Sequence, residues 1–342
     1  MKKTPPSPAP SATTNAWNRY WEKGYLHSCP GAFDGNYDNN IKAFWHSMFS
    51  KLAVSNRVLD IGTGNGAVAL LAQDFSQMHD LALHIEGIDA AEIRPQQAVE
   101  RMGLSAAAVH FRSGISCEQT DYADACMDLV CSQYAIEYSD VQRSLNEIAR
   151  ILKPGGSAGF IVHHADADII RTTRHELDFF SFFESELSVF SSCRRFLERL
   201  VSTGQISSPA SIAADPESRQ QMTDIQGMLS RITDYAHTHS NVTFANDICS
   251  QLANILNHIP RSGEEITHSN LTVLEQEMTA HRQRIEANLN AALDAQGIRH
   301  FCYMATTAGM QPTSPEPIFR NDTREHGQPN LLGWIVTATR GG

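Results

Sequence analysis

The stretch VLDIGTGNGAVAL, residues 58–70, constrains the fold of this chain more than any other feature. A short apolar run reaches Asp60, glycines follow at Gly62, Gly64 and Gly66, and an alanine-rich segment then begins. A strand that passes through a glycine-rich turn into a helix lets a ligand approach bare backbone and the free N–H groups of the helix N-terminus. The stretch therefore predicts a nucleotide-binding turn.

Strand-like and helix-like segments alternate around this turn, as in RVLDIG, GAVALLAQDF, LALHIEGID and PQQAVERMGL. The alternation predicts an α/β fold with a doubly wound, mostly parallel, seven-stranded sheet. IRHFCYMAT and LLGWIVTATR are the two strands expected after a helical insertion that follows strand five. The predicted divisions are a disordered tail at 1–15, a helical cap at 16–56, an α/β core at 57–164 and 271–342, and the insertion at 165–270.

Charge and composition indicate which partners and which cellular location to expect for this chain. The net charge of −11 repels phosphate backbones, so we expect no DNA partner. No window approaches the roughly 18 apolar residues of a membrane span, so we expect no membrane partner. The seven cysteines include no CxxC pair, which favours free thiols and a cytoplasmic location.

Two classes of cofactor fit the glycine turn. The spacing Gly62-x-Gly64-x-x-Ala67 satisfies the dinucleotide fingerprint, which is a weak signal by itself. Asp60, two residues before the first glycine, would repel a pyrophosphate but could pair with a cationic amino-acid group. Asp89 follows the next strand, where its carboxylate could accept hydrogen bonds from ribose hydroxyls in either class.

Four segments in order, VLDIGTGNG, GIDAAEI, MDLVCSQYAIEY and ARILKPGGSAGF, resemble the consecutive motifs of class I S-adenosylmethionine-dependent methyltransferases. The resemblance implies S-adenosylmethionine as the cofactor. It further implies a set of cofactor-binding residues, with the methionine part near the glycine turn, the ribose at Asp89 and the adenine near Ala90. The set is Asp60, Gly62, Thr63, Gly64, Asn65, Asp89, Ala90, Ser116 and Gln133. Ser116 or Ser113 stands roughly where the family usually has an acid.

Candidate catalytic residues follow strands four and five, because ligands of open α/β sheets lie at the carboxyl ends of strands. His163 and His164 are candidate bases, of which at most one is expected to face the site, since strand neighbours point opposite ways. Glu137 could orient or deprotonate an acceptor, and Tyr134 could stack on it. No acid after strand four matches the HHADAD run, so we expect no metal.

Candidate substrate-binding residues are aromatic. Trp17, Tyr20 and Trp21 precede the core, where an N-terminal helix closes over the cofactor in similar enzymes. Tyr138 could contact the acceptor or pack beneath the loop. The insertion could form a lid over the site or a homodimer surface.

The function expected from this reading is methyl transfer to an oxygen or nitrogen atom of a small molecule. Alternatives that stay open are a tRNA or protein methyltransferase, a binding protein that holds the cofactor without catalysis, and transfer of another group from a modified cofactor.

Overall fold

The computed structural model describes residues 12–29, 33, 35–184, 188–206, 209–238, 242–323 and 329–342. The described chain divides into an α/β unit, which runs to Arg171 and resumes at Ala287, and a helical unit, Thr172–Glu286. The helical unit therefore begins and ends later in the chain than the insertion expected at 165–270. Most of the expected tail at 1–15 lies outside the described residues, and its last four residues are helical.

The described strands form one sheet. They are β1 (Arg57–Ile61), β2 (His84–Ile88), β3 (Val109–Arg112), β4 (Met127–Gln133), β5 (Leu152–Val162), β6 (Met310–Pro312), β7 (Glu316–Thr323) and β8 (Pro329–Arg340). Their order is β3-β2-β1-β4-β5-β8-β6, with β7 also paired to β8. Strands β1 to β5 pair in parallel, and β8 pairs antiparallel with β5, β6 and β7, so among the described strands β8 runs against the other seven; this confirms the mostly parallel, doubly wound sheet.

The edge of the sheet differs from the expected seven strands. Two short strands, β6 and β7, pair in succession with the outer side of β8. The described sheet therefore has eight strands, because the place of one edge strand is divided in two between Pro312 and Glu316.

Helices cover both faces of the sheet. The α/β unit contains α1 (Ala12–Trp21), α2 (Asn39–Phe49), α3 (Ala67–Met78), α4 (Pro95–Met102), α5 (Val141–Ile151) and α11 (Ala295–Thr307). On one face, α2 and α3 bury Trp45, Phe49 and Leu70 against the sheet. On the other face, α5 and α11 bury Leu145 and Phe301. The residues expected to form a cap therefore supply, through α2, part of the core layer.

The segment IRHFCYMAT is helical rather than a strand. It lies in α11, whose N-terminus is capped by Asp294, with its carboxylate accepting from the N–H groups of Gln296 and Gly297 at 2.9 and 2.7 Å. Gly297 lies in the first turn of α11. The buried residues of α11 are Ile298, Phe301 and Ala305. Their spacing of three and four residues is that of one face of a helix, and burial of this face favours the helix over a strand.

The remaining described helices are α6 (Asp168–Phe182), α7 (Val189–Ser202), α8 (Pro209–Ala214), α9 (Pro216–Thr238) and α10 (Val242–Ala291). They form the helical unit except for the first residues of α6, 168–171, and the last residues of α10, 287–291, which belong to the α/β unit. Asp215 accepts the N–H of Ser218 at 2.8 Å and caps α9, as its DPES sequence predicts. In α10 the helix continues through Pro260 and is interrupted at Gly263.

The core of the helical unit is rich in phenylalanine. Phe179, Phe180 and Phe196 are at most 1 % exposed there. No helix among the described residues has the length and apolarity needed to cross a lipid bilayer.

The helical assignment of α11 predicts different costs for two aromatic truncations. In a strand, positions 301 and 303 would share a face, whereas in a helix they point about 200° apart. Phe301 is 1 % exposed and Tyr303 is 64 % exposed. We expect Phe301→Ala to lower the free energy of unfolding by about 3–5 kcal/mol, and Tyr303→Ala by less than about 0.5 kcal/mol, in urea titrations. Equal losses would contradict the helix.

Candidate active site

The parallel register brings several strand ends to one edge of the sheet. Ile61 pairs with Ile88, and Gln133 pairs with Ile161, so β1, β2, β4 and β5 end side by side. The turns that follow these strands therefore meet at the carboxyl edge, where open α/β sheets bind ligands.

The turn after β1 adopts a backbone that favours glycine. Gly62, Gly64 and Gly66 have φ angles of 61°, 54° and 101°. A Cβ atom at Gly62 would lie 2.3 Å from the Cβ of Ala135. The three glycines are therefore required by both conformation and space, and they bring the turn directly to the first residue of α3.

Asp89 fastens the turn to the next strand. One of its carboxylate oxygens accepts the N–H of Gly64 at 2.8 Å, and the other accepts the N–H of Ala91 at 2.8 Å. Burial raises the pKa of Asp89 to about 6, although these two N–H groups oppose the rise. Each oxygen retains a further lone pair, so the carboxylate can still accept hydrogen bonds from a ligand.

Asp60 lies beneath the same turn and is 2 % exposed. It accepts the Thr63 hydroxyl at 2.6 Å. Burial raises the pKa of Asp60 to about 7, and the neighbouring Asp89 adds to the rise. A positive group that came near this buried carboxyl would stabilise its ionised form and lower its pKa again. Asp60 therefore favours the approach of a cation.

The N-terminal segment covers the glycine turn. The Trp21 indole lies so close to Gly64 that a Cβ atom there would be 2.5 Å from the ring. Asn65 is completely buried and donates to the carbonyls of Trp21 and Tyr25 at 3.1 and 2.7 Å. Its side-chain oxygen accepts the N–H of Arg94 at 2.7 Å. Asn65 thus joins residues 21–25, the segment that covers the glycine turn, to the loop after β2.

The aromatic residues of α1 form a cluster above the site. The rings of Trp17 and Trp21 stack at 5.7 Å, and Tyr20 meets Trp21 edge-on at 4.9 Å. Tyr20 and Trp21 are buried against Ala91 and Ile93, which follow β2. The sequence placed these three aromatics near the site, and the structure brings them onto the loop expected to hold the adenine.

The loops after β2 and β3 place the remaining cofactor candidates. Ala90 and Ser116 are exposed. The Ser116 hydroxyl accepts the N–H of Glu118 at 3.2 Å, and Ser113 accepts the N–H of Ile93 at 3.1 Å. Both hydroxyls keep a proton that can be donated to a ligand.

Glu137 and His163 form a buried pair at the ends of β4 and β5. One oxygen of Glu137, Oε1, receives both the backbone N–H of His163 at 2.9 Å and its ring Nδ1 at 2.8 Å. The two side chains are 1 % and 4 % exposed. Because a carboxylate only accepts, Nδ1 carries the proton and Nε2 is left with the free lone pair.

Tyr134 and Tyr138 pack around this pair. Their rings lie 4.5 and 5.9 Å from the His163 ring. Tyr134 donates to the carbonyl of Leu332 at 3.1 Å, and Tyr138 donates to Asn288 at 2.7 Å. Burial raises the pKa of both phenols well above the ordinary value, so they stay protonated and hold the imidazole in place.

His164 lies in different surroundings. Its ring stacks on Trp334 at 4.3 Å, and its Nδ1 accepts the N–H of Asp166 at 2.9 Å. Burial lowers its pKa. Of the two adjacent histidines, only His163 contacts Glu137 and the tyrosines, as the alternation of a strand requires.

Gln133 lies beside a second group of aromatics. Its side-chain oxygen accepts the Trp45 indole N–H at 2.5 Å. Burial raises the pKa of Tyr37 well above its ordinary value, and the adjacent Gln133 amide partly opposes this. Gln133 therefore lies among residues of α2 and the segment before it, rather than on the glycine turn.

Sequence reasoning missed Tyr37, Asn288 and Leu293. Asn288 holds the Tyr138 hydroxyl, and Leu293 accepts and donates backbone hydrogen bonds beside His163 and His164. Asn288 lies near the end of α10, some 150 residues after Tyr138. No local pattern links positions so far apart, whereas the aromatic run before the core could have indicated Tyr37.

In the part of the chain that the structure describes, no group of three His, Cys, Asp or Glu side chains could hold a metal ion. All seven cysteines are free.

Residues 58–156 match the protein family described as "Methyltransferase domain". Residues 58–156 are therefore a methyltransferase domain, and the sheet order and the Asp89-fastened glycine turn around them agree with the class I S-adenosylmethionine-dependent methyltransferases. The family resemblance seen in the sequence is confirmed, and S-adenosylmethionine is the cofactor of this class.

The chain is also similar to individual methyltransferases. It is 31 % identical over 117 residues to the uncharacterized methyltransferase YcgJ of Bacillus subtilis, covering 33 % of this chain and 43 % of that protein. It is 30 % identical over 108 residues to the ubiquinone/menaquinone biosynthesis C-methyltransferase UbiE of Geotalea daltonii, covering 31 % and 45 %. The chain spans less than half the length of these relatives. The YcgJ crystal structure aligns with a TM-score of 0.34 at 16 % identity, over 87 % of this chain and 98 % of that one.

The side chains at the carboxyl edge fit the chemistry of S-adenosylmethionine. Two carboxyls with raised pKa, Asp60 and Asp89, lie on either side of a turn whose bare backbone admits close approach. A carboxylate matches both an ammonium group and ribose hydroxyls as a hydrogen-bond acceptor. Asp60 would serve the amino-acid part and Asp89 the ribose.

Two glycine substitutions should separate backbone strain from the contact with Trp21. Gly64 and Gly114 both have left-handed φ angles, but a Cβ at Gly114 meets nothing within 4 Å. We expect Gly114→Ala to cost about 1–2 kcal/mol in urea unfolding, and Gly64→Ala to cost about 1–3 kcal/mol more. Trp21→Ala should remove most of that difference. Equal costs for the two glycines would contradict the contact.

The raised pKa of Asp60 predicts a pH-dependent stability. Between about pH 4 and pH 7 the folded chain keeps a proton that unfolded Asp60 releases, so the free energy of unfolding falls as the pH rises. Asp60→Asn removes this titration. Its stability relative to wild type should therefore rise by about 2–4 kcal/mol from pH 4 to pH 7.5. The exposed Asp80→Asn should show no such trend. A flat difference for Asp60→Asn would contradict the buried, protonated carboxyl.

Proposed function

We propose that this protein is an enzyme that transfers a methyl group from S-adenosylmethionine to a small molecule. The observation that carries the proposal is the conjunction, at one sheet edge, of the Asp89-fastened glycine turn with the buried Glu137–His163 pair. The first supplies a cofactor site, and the second supplies a proton acceptor beside it.

In methyl transfer the cofactor carries the reactive group, so the protein needs to contribute few chemical groups of its own. When bound, S-adenosylmethionine supplies a methyl group on a positively charged sulfur, which an acceptor atom attacks in line. The chain's part is to align the acceptor, exclude water and remove a proton where the acceptor carries one. The covering aromatics of α1 serve the exclusion of water, because they lie directly on the turn.

His163 is the proposed base. Glu137 holds the Nδ1 proton, so Nε2 is the atom that can take a proton from the acceptor. The carboxylate also stabilises the imidazolium that forms. This arrangement favours a hydroxyl or amine acceptor, whose proton must leave as the new bond to carbon forms. Tyr134 and Tyr138 act as positioning residues, since their own protons are engaged.

A small acceptor agrees with charge and with the named relatives. The net charge of −11 opposes the binding of RNA. Two relatives are named for quinone biosynthesis: the C-methyltransferase of Geotalea daltonii described above, and an O-methyltransferase of Maricaulis maris that is 30 % identical over 101 residues. These names support a small molecule and leave the acceptor atom to experiment.

Calorimetric titration with S-adenosylmethionine tests the proposal. We expect micromolar binding to the wild type and at least tenfold weaker binding to Asp89→Ala, because the ribose loses a charged acceptor. Asp80→Asn, an exposed acid in the turn after α3, is the matched control and should bind like wild type.

Each contrary outcome has a distinct meaning. Absence of binding by the folded wild type overturns the proposal. Binding of NAD in its place would assign the turn to the dinucleotide class. Unchanged affinity in Asp89→Ala would keep the cofactor and refute the assigned ribose ligand.

A further inference from the structure

The loop after β3 lies directly beside Asp89. The backbone N–H of Asp89 donates to the carbonyl of Arg112 at 3.1 Å, and its carbonyl accepts the N–H of Ile115 at 2.9 Å. The glycine turn lies on the other side of Asp89, because β1 and β3 flank β2. A cofactor with its ribose on Asp89 and its methionine part on the glycine turn therefore directs its purine toward the loop after β3.

The acidic residues between β3 and β4 are each paired with an arginine of β3 or α5. The pairs are Glu118–Arg143 at 3.1 Å, Asp121–Arg112 at 2.6 Å and Asp124–Arg150 at 2.6 Å. The second oxygen of Glu118 accepts the N–H of Asp140, the residue before α5, at 3.0 Å. These short contacts direct the three carboxylates onto β3 and the helix, so they fasten the segment.

Two hydroxyls are the side-chain groups of this loop closest in sequence to Ile115. Ser113 accepts the N–H of Ile93 at 3.1 Å, and Ser116 accepts the N–H of Glu118 at 3.2 Å. Ser116 is the more exposed of the two. After accepting this one hydrogen bond, its hydroxyl keeps both a proton to donate and a lone pair that can accept.

The chemistry of the group at this position decides which purine it selects. Adenine carries an amino group at its 6-position, which donates, whereas a 6-oxo purine carries an oxygen there, which accepts. An ionised carboxylate only accepts, so it would favour the amino group and repel the oxygen. A hydroxyl can rotate to accept from the first or to donate to the second.

We propose, building on the proposed methyltransferase function, that Ser116 meets the 6-position of the cofactor's purine and that the site therefore binds a 6-oxo purine nearly as well as adenine. Ser116 is in this sense a specificity-determining residue of the cofactor site, and its specificity is broad.

A comparison of two ligands tests this inference by binding alone. S-Adenosylhomocysteine and S-inosylhomocysteine differ at the 6-position, where oxygen replaces the amino group, and at the adjacent N1, which then carries a proton. Calorimetric titration of the full chain would give a dissociation constant for each. We expect the two constants to agree within about fivefold, since either ligand can form the hydrogen bond to Ser116.

Substitutions at Ser116 separate a hydroxyl that contacts the purine from a purine that contacts nothing. In Ser116→Asp a carboxylate replaces the hydroxyl, so S-inosylhomocysteine should bind at least tenfold more weakly than S-adenosylhomocysteine. Ser116→Ala should weaken both ligands by a similar factor, because each loses one hydrogen bond. Ser105→Asp adds the same charge in the exposed segment between α4 and β3 and should keep the wild-type ratio.

The outcomes distinguish this inference from the proposed function. If the wild type does not bind S-adenosylhomocysteine, the proposed function fails. If it binds S-adenosylhomocysteine but prefers it to S-inosylhomocysteine by more than about fivefold, this inference alone is overturned. An unchanged ratio in folded Ser116→Asp likewise overturns the assignment of Ser116 to the purine. The wild-type ratio decides the breadth of specificity even if a variant does not fold.

Discussion

The rest of the active site depends on the hydrogen bonds that Asp89 makes to two backbone N–H groups. Asp89 takes the N–H of Gly64 from the turn after β1 and the N–H of Ala91 from its own loop. Parallel pairing of β1 with β2 ends both strands at the same level, so one side chain can reach both turns. The glycines permit the approach, because their left-handed φ angles fold the turn back over the strand ends. The same carboxylate is then available to a ribose.

The covering segment and the base complete the site from opposite directions. Asn65 fastens the segment after α1 to the glycine turn with both ends of its amide. Glu137 fastens His163 from the other side, and Tyr138 carries the contact onward to Trp17 at 5.9 Å. Burial raises the pKa of both the carboxyls and the phenols at this site. It also makes an unpaired polar atom unfavourable, because that atom has lost its hydrogen bonds to water.

Patterns in the sequence predicted those features of the fold that depend on residues close together in the chain. The glycine turn, the parallel strands and the cap of α9 followed from spacing and residue type, and the family resemblance supplied the expected cofactor residues. The pattern failed in α11, where Phe301 and Tyr303 fit strand alternation as well as a helix, and packing on the sheet decided. It could not supply the side-chain partners of Asn288 and Gln133, which come from distant segments. A role for the helical unit as a lid or a dimer surface stays a prediction.

Hydrogen–deuterium exchange would locate the cofactor most directly. Amide exchange is compared in the protein alone, with S-adenosylhomocysteine and with NAD. The account predicts that S-adenosylhomocysteine slows exchange in the turn at 61–67 and the loops at 89–93 and 113–117, and that NAD has no such effect. Protection elsewhere, or equal protection by NAD, would contradict the assignment of the glycine turn and Asp89 to S-adenosylmethionine.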